Sequence, residues 1–157
     1  MIFVTVGTQK QQFTRLIKYI EKAKLKNVVM QNGYTKYEGS QIQCLGFISP
    51  KQMQKYIKKA DYVITHAGIT IIELLEQNKK VLVVPREKRY KEHINNHQFE
   101  ICDALEKEGY ILVAHTEEEF LRKVKEITTF KPKKYPQPDT AFYTKLDTII
   151  HDMLKNL

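Results

Sequence analysis

Short β-branched apolar runs alternate with stretches of helical period along most of this chain, and that alternation leaves few folds open. The runs at residues 2–6, 28–31, 43–47, 62–65, 81–84 and 110–113 have the length of strands buried on both faces. Between them Phe13, Leu16, Ile17 and Ile20 repeat at helical spacing. Ser49 and Pro50 read as a cap and a first-turn proline ahead of Met53, Tyr56 and Ile57. Further helices are predicted over 70–77, 93–107 and 117–126. Repeated strand–helix units imply an α/β fold with a mostly parallel sheet flanked by helices. At 157 residues, 42% of them apolar, the chain has material for one core.

Toward the end the pattern changes. Lys131, Lys133 and Lys134 interleave with Pro132, Pro136 and Pro138, which reads as an extended linker over 129–139 between a ligand-binding domain, 1–128, and a C-terminal amphipathic helix, 140–157. In that helix Phe142, Leu146, Ile149, Ile150, Met153, Leu154 and Leu157 follow one stripe, and we expect the linker to carry it off the sheet, at least partly onto another chain.

Charge narrows the partners. The 26 Lys+Arg against 18 Asp+Glu give a formal +8, suited to a nucleotide phosphate, a nucleic acid or an acidic membrane face. The cations lack the interleaved aromatic platform on which bases stack, so no nucleic-acid partner is expected. No apolar run approaches the roughly 18 residues of a membrane span, and Met1 leads straight into Ile2, Phe3 and Val4, so secretion is not expected. Cys44 and Cys102 sit in apolar stretches without metal-ligand spacing and read as small buried hydrophobes, with neither a disulfide nor a zinc site.

In an open parallel sheet, ligands bind beyond the carboxyl ends of the strands. Gly7, Thr8 and Gln9 follow the first strand and either admit a ligand to the backbone amides or form only a tight turn. His66, Ala67, Gly68 and Thr70 follow the fourth. There Gly68 permits close approach, Thr70 can cap a helix whose N-terminus suits a phosphate, and His66 is a ligand contact or a core histidine bonded to backbone. Glu73, in the first turn, can accept bonds from two ribose hydroxyls or simply complement the helix dipole. After the fifth strand Arg86, Lys88, Arg89 and Lys91 make the most basic stretch, followed by Asn95, Asn96, His97 and Gln98, more donor–acceptor groups than a cap requires.

Together, HAGITIIELLEQNKKVLVVPREKRYKEHINNHQFEICDALEKEGYILV and the N-terminal MIFVTVGT resemble the donor-binding, C-terminal domain of the family 28 glycosyltransferases over residues 1–113. The similarity is greatest to the PssE-like small subunits of two-part bacterial exopolysaccharide and capsule transferases. The donor subunit of the eukaryotic enzyme that adds the second GlcNAc to dolichol diphosphate, and MurG, are also similar. The resemblance implies a Rossmann-like fold matching the C-terminal half of a GT-B enzyme. It also implies a UDP-sugar-dependent, inverting hexosyltransferase acting on a polyprenyl-diphosphate-linked acceptor, or alternatively a non-catalytic nucleotide-sugar-binding or regulatory subunit.

The acceptor, and the general base, would belong to a membrane-associated partner chain, so no catalytic residue is expected here. The chain would be cytoplasmic, peripheral at the inner face of the plasma membrane through that partner. By matching position the substrate-binding set is Gly7, Thr8, His66, Gly68, Thr70, Glu73, Arg86, Asn96, His97 and Gln98, with no cofactor; the absence of an Asp-x-Asp pair agrees with the expectation of no metal. Relatives commonly read His-Ala-Gly-x-Gly-Thr/Ser-x-x-Glu, whereas this chain is one residue shorter and lacks the second glycine. The acid usual before Asn-His-Gln is here Asn95.

Overall fold

The computed structural model of the chain describes residues 1–68, 70–93, 95–96, 98–136 and 141–155. Strands β1 (Ile2–Thr5), β2 (Val28–Gln31), β3 (Ile42–Cys44), β4 (Tyr62–Thr65), β5 (Val81–Val83) and β6 (Leu112–Val113) form one sheet in the order β3-β2-β1-β4-β5-β6. Every pairing is parallel, with Ile2 opposite both Val28 and Tyr62. This is the doubly wound order, in which successive connections run outward from β1 in one direction and then, from β4, in the other.

Alternation along the strands divides the core. Val4, Ile64, Leu82 and Leu112 face the layer made by α1 (Thr14–Lys22) and α5 (Glu117–Glu126), against Leu16, Ile20 and Phe120. Phe3, Val63, Val81 and Val83 face the opposite layer, α2 (Pro50–Lys59), α3 (Thr70–Glu76) and α4 (Gln98–Lys107), against Ile57, Leu74 and Leu105. The α2 start is a full capping box: Ser49 Oγ accepts from Gln52 N–H, and the Gln52 side chain accepts from Ser49 N–H.

Several boundaries differ from expectation. The third strand stops at Cys44, not Phe47, because Gly46 at φ +68° turns the chain and leaves Phe47 54% exposed. Cys44 is exposed rather than buried, since β3 is the edge strand and its last two residues face water. Helix α4 begins at Gln98, five residues later than predicted: Asn96 O accepts the Phe99 N–H, while the Asn96 side chain accepts from Lys88 N–H. Only Leu112–Val113 of the sixth run pairs in the sheet, although Tyr110 and Ile111 are buried too.

Residues 129–136 of the proline–lysine segment stay against the domain, and 137–140 lie outside the described residues. Phe130 packs on the α1–α5 side of the core, Lys133 N–H donates to Gly109 O at 2.9 Å, and Tyr135 is buried edge-on against Tyr110. Its aromatic side chains have more to gain from burial than the prolines have from standing in solvent. The last helix, α6 (Ala141–Lys155), buries Leu146 and tucks Ile150 against the α4 side, whereas Ile149 stays 43% exposed. Leu157 lies outside the described residues. No helix among the described residues is long and apolar enough to cross a membrane.

Candidate functional site

Strand order reverses between β1 and β4, and the carboxyl ends of these two strands open onto a cleft of about 410 Å³. The chain leaving β1 lines it with Gly7, Thr8 and Gln9, and the chain leaving β4 with His66, Gly68 and Thr70. Gln31 closes the β2 side, where its Oε1 accepts from Thr5 Oγ1 at 2.7 Å and its Nε2 donates to Gly7 O at 3.2 Å. Phe47, Ile48 and Met53 form an apolar wall, and Gln98 enters from α4. No charged side chain lines the cleft among the described residues.

The two glycine turns meet on one ring. A Cβ added to Gly7 would lie 2.5 Å from His66 Nε2, and one added to Gly68 would lie 2.8 Å from His66 Cε1. His66 is therefore a packing core shared by both turns, and each glycine is required by closeness to the imidazole. Burial, helped by the charge of Arg86, pushes the His66 pKa down to about 3, so the ring is neutral at pH 7.

This depression has a sign. Unfolded, His66 takes up a proton near its ordinary 6.5; folded, it does so only near 3. The resulting stability is complete above pH 6.5 and is lost as pH falls toward 3, at up to about 1.4 kcal/mol per pH unit. Urea unfolding at pH 6.5, 5.5 and 4.5 should show a shallower acid loss for His66→Asn than for the parent. Equal slopes would assign the loss to carboxylates instead.

Arg86 does not line the cleft. It is 1% exposed, its Nη1 donates to Gln11 O and Glu92 O and its Nη2 to Val6 O, and its guanidinium lies over the Phe13 ring. It ties the loop after β5 to the loop after β1: both terminal nitrogens are taken by backbone oxygens, while Nε is buried without a hydrogen-bond partner among the described residues. Beside it Glu92 forms a two-pronged pair with Arg15 at 2.8 and 2.9 Å and accepts the Glu87 N–H. Seventy-seven positions separate Arg15 from Glu92, and no local sequence signal links them.

Of the other predicted residues, Asn96 is exposed and holds Lys88 N–H, away from the cleft wall. Glu73 is exposed, one helical turn beyond Thr70 on the same side of α3. His97 lies outside the described residues. The structure thus gathers Gly7, Thr8, His66, Gly68, Thr70 and Gln98, but not Arg86, Asn96 or Glu73, into the wall. Thr5, Gln31 and the Phe47–Ile48–Met53 wall were missed, since only the fold brings three strand ends together.

Strand order and cleft define a doubly wound, Rossmann-like α/β domain, open at its topological switch point. The chain belongs to the glycosyltransferase family 28 C-terminal domain family, whose model matches residues 1–153. It is 27% identical over 124 residues to the Candida albicans UDP-N-acetylglucosamine transferase subunit ALG13, covering 78% of this chain and 38% of that protein. To the human protein of the same name it is 43% identical over 60 residues, which are 38% of this chain and 5% of that one. The chain therefore matches well under half the length of these curated relatives. Among solved structures, an NMR solution structure of ALG13 superposes with a TM-score of 0.61 at 21% identity, covering 92% of this chain and 93% of that one. Spinosyn forosaminyltransferase SpnP superposes with a TM-score of 0.54 at 12% identity, covering 98% of this chain and 39% of that one. Both likenesses are of fold.

Proposed function

We propose that this chain is the donor-binding subunit of an inverting glycosyltransferase, holding a UDP-sugar in the cleft while a membrane-associated partner holds a polyprenyl-diphosphate-linked acceptor. The observation that carries this reading is the cleft, which in a chain of this family collects Gly7, Thr8, His66, Gly68, Thr70 and Gln98 where the strand order reverses. The curated relatives are named as subunits of a UDP-N-acetylglucosamine transferase, which supports a UDP-linked donor and a second chain. The setting we assign is bacterial exopolysaccharide or capsule synthesis. There the chain is cytoplasmic and held at the inner face of the plasma membrane by its partner, with the +8 charge favouring acidic lipid.

The chemistry follows from charge flow. As the sugar leaves, negative charge grows on the β-phosphate, and backbone amides at the Gly7–Thr8 turn and the start of α3 are the groups that meet it. His66 is neutral, and we assign the base that deprotonates the acceptor to the partner. We assign no metal, in keeping with the absence of an Asp-x-Asp pair; among the described residues no three His, Cys, Asp or Glu side chains come together as ligands.

Transfer of labelled sugar to a lipid-linked acceptor, measured for the chain, the partner and the pair, should occur only with the pair. Transfer by the isolated chain would sink the two-part reading. UDP-sugar binding without transfer beside the partner would favour a non-catalytic or regulatory subunit, the reading to which the shortened glycine loop points.

Within this proposal Glu73 takes the ribose, because a nucleoside running out of the cleft along α3 passes from Thr70 to the next turn. Glu73→Ala should weaken UDP binding by about 1.5 to 3 kcal/mol, the range for hydrogen bonds to a charged group, and leave unfolding unchanged. An unaltered dissociation constant by calorimetry would place the ribose elsewhere.

A further inference from the structure

Gln98 lines the cleft, and its amide nitrogen lies 3.3 Å from Nε2 of His93, a buried ring five residues earlier. On the other side of that ring, Nδ1 lies 3.1 Å from the Asn95 backbone oxygen and 3.3 Å from the Asn95 backbone nitrogen. A carbonyl oxygen only accepts and a backbone N–H only donates, so Nδ1 can satisfy one of the two.

That choice propagates across the imidazole. With the proton on Nδ1, the ring donates to Asn95 O, the shorter contact, and the Nε2 lone pair accepts from the Gln98 amide nitrogen. With the proton on Nε2, Nδ1 accepts from Asn95 N–H, and Gln98 must turn its amide over to receive a donor. The structure shows nitrogen against Nε2, with Gln98 Oε1 buried and lacking a hydrogen-bond partner among the described residues. An orphaned acceptor on a side chain of the cleft wall weakens the empty state and is satisfied when a donor arrives.

We propose that His93 is a positioning residue for sugar recognition: its Nδ1-protonated ring holds the Gln98 amide so that Oε1 is the atom offered to a hydroxyl of the nucleotide-linked sugar. This rests on the reading of the cleft as a UDP-sugar site and adds the device that sets the polarity of one contact. A site built to accept a hydroxyl proton discriminates more sharply than an apolar wall, because a ligand lacking that hydroxyl leaves the buried oxygen unpaired.

Calorimetry on the full chain with UDP and with UDP-N-acetylglucosamine tests it, with thermal unfolding reporting the integrity of each variant. His93→Phe should lower affinity for the UDP-sugar about tenfold and for UDP less than about twofold, since the lost contact lies beyond the diphosphate. His93→Gln, whose side-chain oxygen can accept from Gln98, should restore most of the difference. In a Gln98→Ala background, His93→Phe should change the ratio of the two affinities by less than about twofold, because the contact it orients is gone. Nitrogen-15 spectra of the imidazoles at pH 7.5 should show His93 protonated at Nδ1.

Equal losses for both ligands, additive effects of the two substitutions, or a proton on Nε2 would each overturn the assignment. If UDP fails to bind the parent chain, the reading of the cleft fails and the inference with it. If UDP and the UDP-sugar bind the parent with the expected difference and His93→Phe leaves that difference intact, the inference alone fails.

Discussion

Arg86→Met should destabilise the fold by about 3 to 5 kcal/mol, read as a fall in the urea midpoint at pH 7, the range for removing one partner from a buried charged network. The guanidinium is buried, donates to three backbone oxygens at 2.6 to 3.2 Å and stacks 4.7 Å above Phe13. Methionine fills much of the volume but donates nothing, and the carbonyls of Val6, Gln11 and Glu92 cannot be mutated away. Replacing a buried ion by an apolar side chain is harmless only when its partners go too. Burial draws the Arg86 pKa down to about 10, with Glu92 opposing the shift, so the side chain is still charged at pH 7. Arg86→Lys should recover only part of the loss, because one ammonium cannot reproduce the planar fork that reaches both Val6 O and Gln11 O. A methionine variant within about 1 kcal/mol of the parent would show that water replaces these bonds at little cost.

Gly7→Ala should cost about 2 to 4 kcal/mol and remove measurable UDP binding, with two separable causes. Gly7 sits at φ +79°, where an L side chain is strained, and its new Cβ would fall 2.5 Å from His66 Nε2. Gly68→Ala meets the same ring at 2.8 Å without the backbone penalty, since Gly68 does not occupy the left-handed region. Adding His66→Ala discriminates between the causes. It should rescue Gly68→Ala almost fully and Gly7→Ala only in part, leaving the strain of about 1 to 2 kcal/mol. Equal rescue at both positions would mean that the φ of Gly7 relaxes on substitution.

Much of the architecture was legible because it is local. Strand identity and helix period depend on neighbours a few positions apart, and so does the cap at Ser49, so an α/β fold with a mostly parallel sheet and the placing of Gly7, His66, Gly68 and Thr70 at strand ends could be read from the chain. The basic stretch after the fifth strand misled for a definite reason. Arg86 looks like its neighbours Lys88 and Arg89 in sequence, but it alone of the three is buried, and that depends on carbonyls contributed by residues 6 and 11. The proline–lysine segment misled similarly: its composition is that of a spacer, yet Tyr135 finds Tyr110, and α6 then lies against α4.

What the chain determined alone was the set of elements, since hydrophobic period and turn chemistry are written into consecutive residues. Tertiary structure alone decided which polar groups are free for a ligand. A side chain's donors are claimed by whatever acceptor the fold brings within 3 Å, and that acceptor lies 77 positions away for Arg15 with the Glu92 carboxylate and 80 for Arg86 with the Val6 carbonyl. Gln98 keeps an unpaired oxygen at the cleft wall, while Arg86 has its terminal nitrogens bonded to backbone, because the loops after β1 and β5 meet at the arginine.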